Sequence, residues 1–165
     1  SELLGAYGNF VNRTLAFIEK YCDGIVPSGN NNIELDDQID RLYIAVGKFI
    51  ERGYFKDAVN EIFDFVRNAN KFFDTEKPWI TRNTDKTACN HTLYQCVQII
   101  ANLAVLLSPF LPFSSEKVLK WLNISNNWER QHVASGYLLP EVEILFHRID
   151  KKVIEEETEK LKAIL

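Results

Sequence analysis

The chain has 165 residues, which is enough for one domain that buries a sizeable core without disulfides or a structural metal. Hydrophobic residues make up 46% of it and charged residues 25%, as in ordinary globular proteins. The formal net charge of −4 excludes an unspecific basic clamp on nucleic acid, because such binding depends on many Lys and Arg side chains that neutralise phosphates.

Helical patterns follow one another along the chain, and no stretch alternates with period two. The first helix is predicted from Ser1 to Tyr21, because its apolar residues share one broad face and Asp23-Gly24 follows as a C-terminal cap. A polar, turn-rich loop comes next, at positions 27–32. The second helix is predicted from the acidic pair Asp36-Asp37, which suits a helix N-terminus, as far as Gly53.

Three more helices are predicted in the middle of the chain. The third runs from Tyr54 to Lys77, where Pro78 ends it. The fourth, from Asp85 to Leu107, is the most apolar, and we expect it to be the buried centre of the fold. It is interrupted by polar residues and proline, so it predicts no membrane span. A double-proline turn then leads to a fifth helix, capped by Ser114 or Ser115, that reaches position 122.

The last part of the chain is predicted to be irregular from position 123 to about 140, followed by a short apolar piece, EVEILF. A highly charged helix starts at Asp150, and its carboxylate run Glu155-Glu156-Glu157 is interpreted as a solvated face. We therefore expect an all-α fold. It comprises a bundle of about five helices over residues 1–150 and a charged C-terminal helix over 151–165, the start of a linker or docking segment.

No pattern in the chain indicates catalysis. The three histidines are scattered, and the three cysteines lack metal-ligand spacing. There is no glycine-rich phosphate loop, nucleophile elbow or paired-carboxylate motif. The sequence predicts no catalytic residue, no metal and no cofactor in this chain, and its odd number of cysteines favours a reducing, cytoplasmic location.

Two polar side chains stand one helical turn apart in the apolar first helix, in the stretch GNFVNRT. With 100° per residue, Asn9, Arg13, Ala16 and Lys20 form a ridge opposite the apolar face. The plain interpretation is a solvated helix face. The functional one is base recognition, since an amide and a guanidinium can bond the edge of one unpaired RNA base.

A tryptophan follows a helix-breaking proline in the stretch EKPW, which places Trp79 in a loop after Pro78. It is interpreted either as a lid packed over the end of the bundle or as a platform on which a base stacks. Local charge favours the second alternative. Residues 67–86, which include Arg82, carry a net charge of +2 in a chain of net −4.

These residues belong to blocks that resemble the anticodon-binding domain of bacterial methionyl-tRNA synthetase, a class I aminoacyl-tRNA synthetase. The blocks are LGAYGNFVNRTLAFIEKYCDG, DAVNEIFDFVRNANKFFDTEKPWI, LLSPFLPFSSEKVLKWL and LFHRID. Their order and spacing hold from about Leu4 to Asp150. The pattern departs from the family at Gly5, where some members carry a further Asn, and at His147, where Pro is frequent.

The resemblance implies that the chain recognises tRNA with the anticodon CAU. Asn9 and Arg13 match the pair that reads its first base, and Trp79 matches the residue that stacks on an anticodon base, with Pro78, Lys20 and Arg82 in support. The parent enzyme is implied to be a methionine–tRNA ligase that uses ATP and methionine. Its nucleotide-binding motifs are missing here, so we expect this chain alone to be inactive and to work with a catalytic domain.

Two alternatives stay open on the sequence. The first alternative is a helical protein-interaction module, with Asn9, Arg13 and Trp79 as its contact residues. The second is the corresponding helical bundle of another class I synthetase. Preference for the first anticodon base separates the protein-interaction module from the favoured interpretation.

Overall fold

The computed structural model describes residues 2–141 and 151–164, with side chains of the last helix described from residue 155 onward. Within these ranges the chain forms seven α-helices, and the single β-feature is an antiparallel bridge between Ile25 and Leu138. The predicted all-α bundle is confirmed. The helices are α1 (Glu2–Tyr21), α2 (Ile33–Glu51), α3 (Phe55–Glu76), α4 (Pro78–Thr84), α5 (Lys86–Leu107), α6 (Pro112–Leu122) and α7 (Lys151–Ile164).

Helix α5 is the centre of the bundle, as predicted. Every residue from Thr92 to Leu107 is buried, and α5 packs against α1, α2, α3, α4 and α6. A helix surrounded on all sides needs no amphipathic pattern, which explains its nearly continuous apolar sequence. In the described part of the chain, no helix combines the length and the apolarity that crossing a membrane requires.

The start of α2 differs from the prediction. The helix begins at Ile33, three residues before the acidic pair, because Asn32 caps it: the Asn32 side chain accepts a hydrogen bond from the backbone N–H of Leu35 at 3.1 Å. Asn is among the strongest N-cap residues. The loop therefore ends in the cap itself, and the acids that predicted the start lie within the first two turns.

The junction of α3 and α4 also differs from the prediction. Pro78 ends α3, as expected, but it also occupies the first position of α4, where its missing N–H costs nothing. Lys77 makes the sharp turn between the two helices with a left-handed backbone, φ 50°. Trp79 is therefore the second residue of a short helix, and its predicted position in a loop was wrong.

The predicted cap of α6 was wrong as well. The helix starts at Pro112, and Ser114 and Ser115 are buried inside its first turn. The cap comes from α7: Glu157 accepts from the backbone N–H groups of Phe113 at 2.9 Å and Ser114 at 3.0 Å, and from the Ser114 hydroxyl at 2.5 Å. A carboxylate suits a helix N-terminus, where backbone N–H groups lack partners.

Glu157 overturns the interpretation of the carboxylate run as a solvated face. Its side chain is only 1% exposed, whereas Glu155 and Glu156 are exposed as predicted. Leu161, one turn further on, is buried in the core. Helix α7 is thus docked on α6. The division of the chain at residue 150 stays a prediction, and the apolar piece beyond residue 141 lies outside the described residues.

An irregular segment, residues 123–140, crosses α2 and α5; we call it the strap. Two buried amides of α5 hold it, each bonded to both the N–H and the C=O of one strap residue. Gln98 bonds Val133 at 2.8 and 2.9 Å, and Asn102 bonds Gln131 at 2.7 and 3.1 Å. The two amides thus satisfy buried strap backbone in place of a neighbouring strand.

Candidate nucleic-acid interface

Helices α1 and α3 lie side by side in parallel, and two pairs of side chains join them in the same register. Asn9 of α1 contacts Asn70 of α3, and Arg13 contacts Asp74, so both pairs are 61 residues apart in sequence. Two turns of α1 are thereby matched to two turns of α3. Because the same offset recurs, the four side chains form one continuous polar surface.

Asn9 is exposed, as predicted, and its orientation is set by α3. Its Nδ2 donates to Asn70 Oδ1 at 3.2 Å. Asn70 is itself held, since its Nδ2 donates to the carbonyl oxygen of Ala6 at 3.1 Å. Because Nδ2 is directed at Asn70, the side-chain oxygen of Asn9, Oδ1, remains available to accept a hydrogen bond from a ligand.

Arg13 is less exposed than the predicted outward ridge implies, with 24% of its side chain accessible. Its Nη2 donates to Asp74 Oδ1 at 2.5 Å, and its guanidinium carbon lies 4.0 Å from the centre of the Phe73 ring. The carboxylate fixes one corner of the planar group, and the ring supports one face. The remaining N–H groups point from a fixed position, which is the arrangement that base recognition needs.

Trp79 lies at the rim of the bundle. Its side chain is 44% exposed, and its ring centre is 6.1 Å from that of Phe73, with the two planes tilted by 33°. Phe73 therefore contacts both Arg13 and Trp79. The exposure argues against a lid buried in the core, since a stacking platform must leave one face of the indole free.

The three supporting residues fall in two places. Pro78 is buried and fixes the start of α4. Lys20 and Arg82 each lie against the half-exposed ring of Tyr21, with the Lys20 ammonium 5.1 Å and the Arg82 guanidinium 4.0 Å from its centre. Two cations from different helices thus lie beside an accessible aromatic ring, at the end of α1 nearest α4.

Four residues of this surface were missed by sequence reasoning: Tyr21, Asn70, Phe73 and Asp74. One signal for the polar pair was available, since Asn70 and Asp74 repeat the four-residue spacing of Asn9 and Arg13. Phe73 carried no such signal, because a phenylalanine on an apolar face is expected in the core. Phe73 is indeed buried, and its ring supports Arg13 and contacts Trp79 from the core side of the surface.

The cysteine thiols and the potential metal ligands form no reactive site among the described residues. Burial raises the pKa of the Cys22 and Cys89 thiols above the usual range, and that of Cys96 to about 12. A thiol with a raised pKa is a poor nucleophile near neutral pH. Among the described residues, no group of three or more His, Cys, Asp or Glu side chains is placed to hold a metal ion.

The chain matches a known family. The family model described as the anticodon-binding domain of tRNA ligase matches residues 34–165, so the chain belongs to that family of tRNA-ligase domains. Its relatives include methionine–tRNA ligases. It is 57% identical over 162 residues to methionine–tRNA ligase of Bacillus cereus (strain 03BB102), and 54% identical over 162 residues to that of Bacillus mycoides (strain KBAB4).

Both alignments cover 98% of this chain and 30% of the relative, so the chain spans about a third of the length of these ligases. Among solved structures it is similar to the apo form of Mycobacterium tuberculosis methionyl-tRNA synthetase. The TM-score is 0.79 at 25% identity, over 91% of this chain and 33% of the other. The resemblance to methionyl-tRNA synthetases is confirmed.

Proposed function

We propose that this chain reads the CAU anticodon of tRNA for a methionine–tRNA ligase, whose catalytic domain uses ATP and methionine in the cytoplasm. The single observation that carries the proposal is the joint placement of Asn9, Arg13 and Trp79, called here the reading group. All three are held on α3 through Asn70, Asp74 and Phe73. Family membership and the methionine ligases among its relatives support the same function.

The chemistry of the reading group fits a cytosine that has left its stack. Cytosine presents an amino donor and two acceptors on its pairing edge, and recognition of single-stranded RNA uses that edge. Arg13 supplies donors, and the free carbonyl oxygen of Asn9 supplies an acceptor. Trp79 supplies a flat apolar face on which a base can stack.

The test is binding of a CAU anticodon stem-loop to the chain, compared with stem-loops whose first anticodon base is U, A or G. We expect the CAU stem-loop to bind at least tenfold more tightly, because a wrong base leaves polar groups of the site unpaired. Equal binding of all four stem-loops would instead favour a protein-interaction module. Salt concentration must be held constant, since phosphate contacts depend on it.

Trp79 gives a second prediction, which separates stacking from packing. Trp79→Ala is expected to weaken stem-loop binding by about 1–3 kcal/mol, and Trp79→Phe to recover much of that loss, because a base needs only a π-face. The unfolding free energy should fall by less than the roughly 3–5 kcal/mol typical of a tryptophan removed from a core. Titration and thermal melting of the same variants measure both effects.

The matched control is Trp128, which is 39% exposed on the strap and donates from Nε1 to the carbonyl oxygen of Tyr43 at 3.1 Å. Trp128→Ala should lower stability and leave the affinity of the folded protein unchanged. A loss of RNA affinity at Trp128 equal to that at Trp79 would show that removing any half-exposed tryptophan is enough, and would remove the support for a stacking platform.

A further inference from the structure

A second concave site lies on the other side of α3 from the reading group. It is a cleft of about 200 Å³ between α2, α3 and α5, and we call it the α2–α3 cleft. Its lining combines apolar side chains with amide side chains. The residues that define it are Asn32, Leu35, Phe65, Asn68, Phe72 and Gln95.

One side-chain donor in this cleft makes no hydrogen bond to the described part of the protein. Gln95 is 7% exposed, and its Oε1 accepts from Asn32 Nδ2 at 3.0 Å. No hydrogen bond from Gln95 Nε2 is found among the described residues, although that amide nitrogen carries two N–H donors. Gln95 Nε2 is not a fully buried atom, so its donors face solvent through the cleft. An acceptor that enters the cleft would take the place of water as their partner.

The size and charge of the cleft restrict the ligand. About 200 Å³ is below the range of roughly 300–1,000 Å³ for sites that hold a drug-sized molecule, so the cleft suits a single planar ring system. Glu34 at its edge disfavours a phosphate or another anion. Amides offer donors and acceptors together, and Phe72 offers an aromatic wall. An unpaired nucleobase fits these requirements.

The cleft is within reach of an RNA strand bound at the reading group. Asn70, Phe73 and Asp74 face α1, whereas Phe72 lines the cleft on the other side of the same two turns. A helix with its side chains is about 10–12 Å across, a distance that one or two nucleotides can span. Lys71, exposed on the outer face of α3 between the two sites, can neutralise a phosphate as the strand crosses.

We propose that the α2–α3 cleft binds a second unpaired base of the anticodon loop, with Gln95 Nε2 donating to a ring nitrogen or carbonyl oxygen of that base. This inference rests on the proposed function, because the reading group must first place the loop on α3. It assigns to α2 and α5 a direct role in RNA binding, whereas the reading group lies on α1 and α4.

The experiment is a set of anticodon stem-loops, each lacking one loop base, titrated against the parent chain and Gln95→Glu. This variant keeps the acceptor for Asn32 and removes the two donors. With the intact CAU stem-loop, we expect Gln95→Glu to bind about tenfold more weakly. Removal of one particular base, other than the first anticodon base, should abolish the difference between parent and variant, because that base is the partner of Gln95.

A second variant tests the cleft without changing a buried residue. Asn68 is exposed and lines the cleft, so Asn68→Ala should fold normally and bind the intact CAU stem-loop more weakly than the parent does. That difference should disappear with the stem-loop that lacks the partner base of Gln95. Asn60→Ala, an exposed amide two turns earlier on α3 and outside the cleft, is the control and should bind as the parent does.

The outcomes are distinct. If both cleft variants bind as the parent does, or if their penalty persists whichever base is missing, no base occupies the cleft and the inference is wrong. If the parent shows no preference for the first anticodon base, the proposed function fails instead, and that result is read from the intact stem-loops alone.

Discussion

Arg13→Ala is expected to weaken binding of the CAU stem-loop by about 1.5–3 kcal/mol and to remove most of the preference for its first base. The range is that of a hydrogen bond to a charged group. The loss has a second cause, because Asp74 then keeps an unneutralised carboxylate at the surface where RNA must approach. Stability should change by no more than about 1 kcal/mol, since exposed ion pairs contribute little.

Arg67 is the matched control for Arg13. It also pairs with a carboxylate, that of Asp64, and also covers a phenylalanine ring, with its guanidinium carbon 4.5 Å from the centre of the Phe63 ring. Arg67→Ala removes the same charge from a similar but more exposed pairing outside the reading group, so it should keep the full preference for the first base. If both variants lose that preference equally, Arg13 acts only through its charge and does not read a base.

The parts of the fold that the sequence predicted well are those governed by local pattern. The periodic apolar face of α1 and the nearly all-apolar α5 set their own boundaries, because the residues that form each helix also form its buried surface. The exposed pair Asn9 and Arg13 was singled out on the sequence for a related reason. An amide and a guanidinium one turn apart on a helix share a face whatever the rest of the chain does.

The features that were missed depend on partners far away in sequence. Glu157 has the same local signature as Glu155 and Glu156, and only the N-terminus of α6, more than 40 residues earlier, makes it a buried cap. Phe73 looks like any core phenylalanine until α1 places Arg13 on its ring. Periodicity specifies which face is buried, but it carries no information about which residue of another helix will meet it.

Asn102 is the clearest case, and it leads to the largest expected effect on stability. On the sequence it only interrupts an apolar run. In the structure it is fully buried, and its Oδ1 accepts from the Tyr43 hydroxyl at 2.9 Å and the Gln131 N–H at 2.7 Å. Its Nδ2 donates to the carbonyl oxygens of Gln98 at 2.8 Å and Gln131 at 3.1 Å.

Asn102→Ala is therefore expected to lower the unfolding free energy by about 3 kcal/mol. Alanine is the better helix former, but the change removes both partners of the partly buried Gln131 backbone. It also leaves the buried Tyr43 hydroxyl with only a long hydrogen bond, 3.5 Å, to the backbone carbonyl oxygen of residue 102. For a domain of this size, that loss lowers the melting temperature by roughly 6–12 °C. Calorimetry or a denaturant titration measures the change.

Hydrogen exchange at single residues tests whether the lost stability comes from release of the strap. Because Asn102 holds the strap to α5, the amide proton of Gln131 should lose most of its protection from hydrogen exchange in Asn102→Ala, while that of Leu103 in the helix stays protected. Asn90→Ala, on the same helix with no comparable set of bonds, should stay within about 0.5 kcal/mol of the parent or gain slightly. If Asn102→Ala melts with the parent, the strap is held by its apolar contacts, and the four hydrogen bonds of Asn102 contribute no net stability.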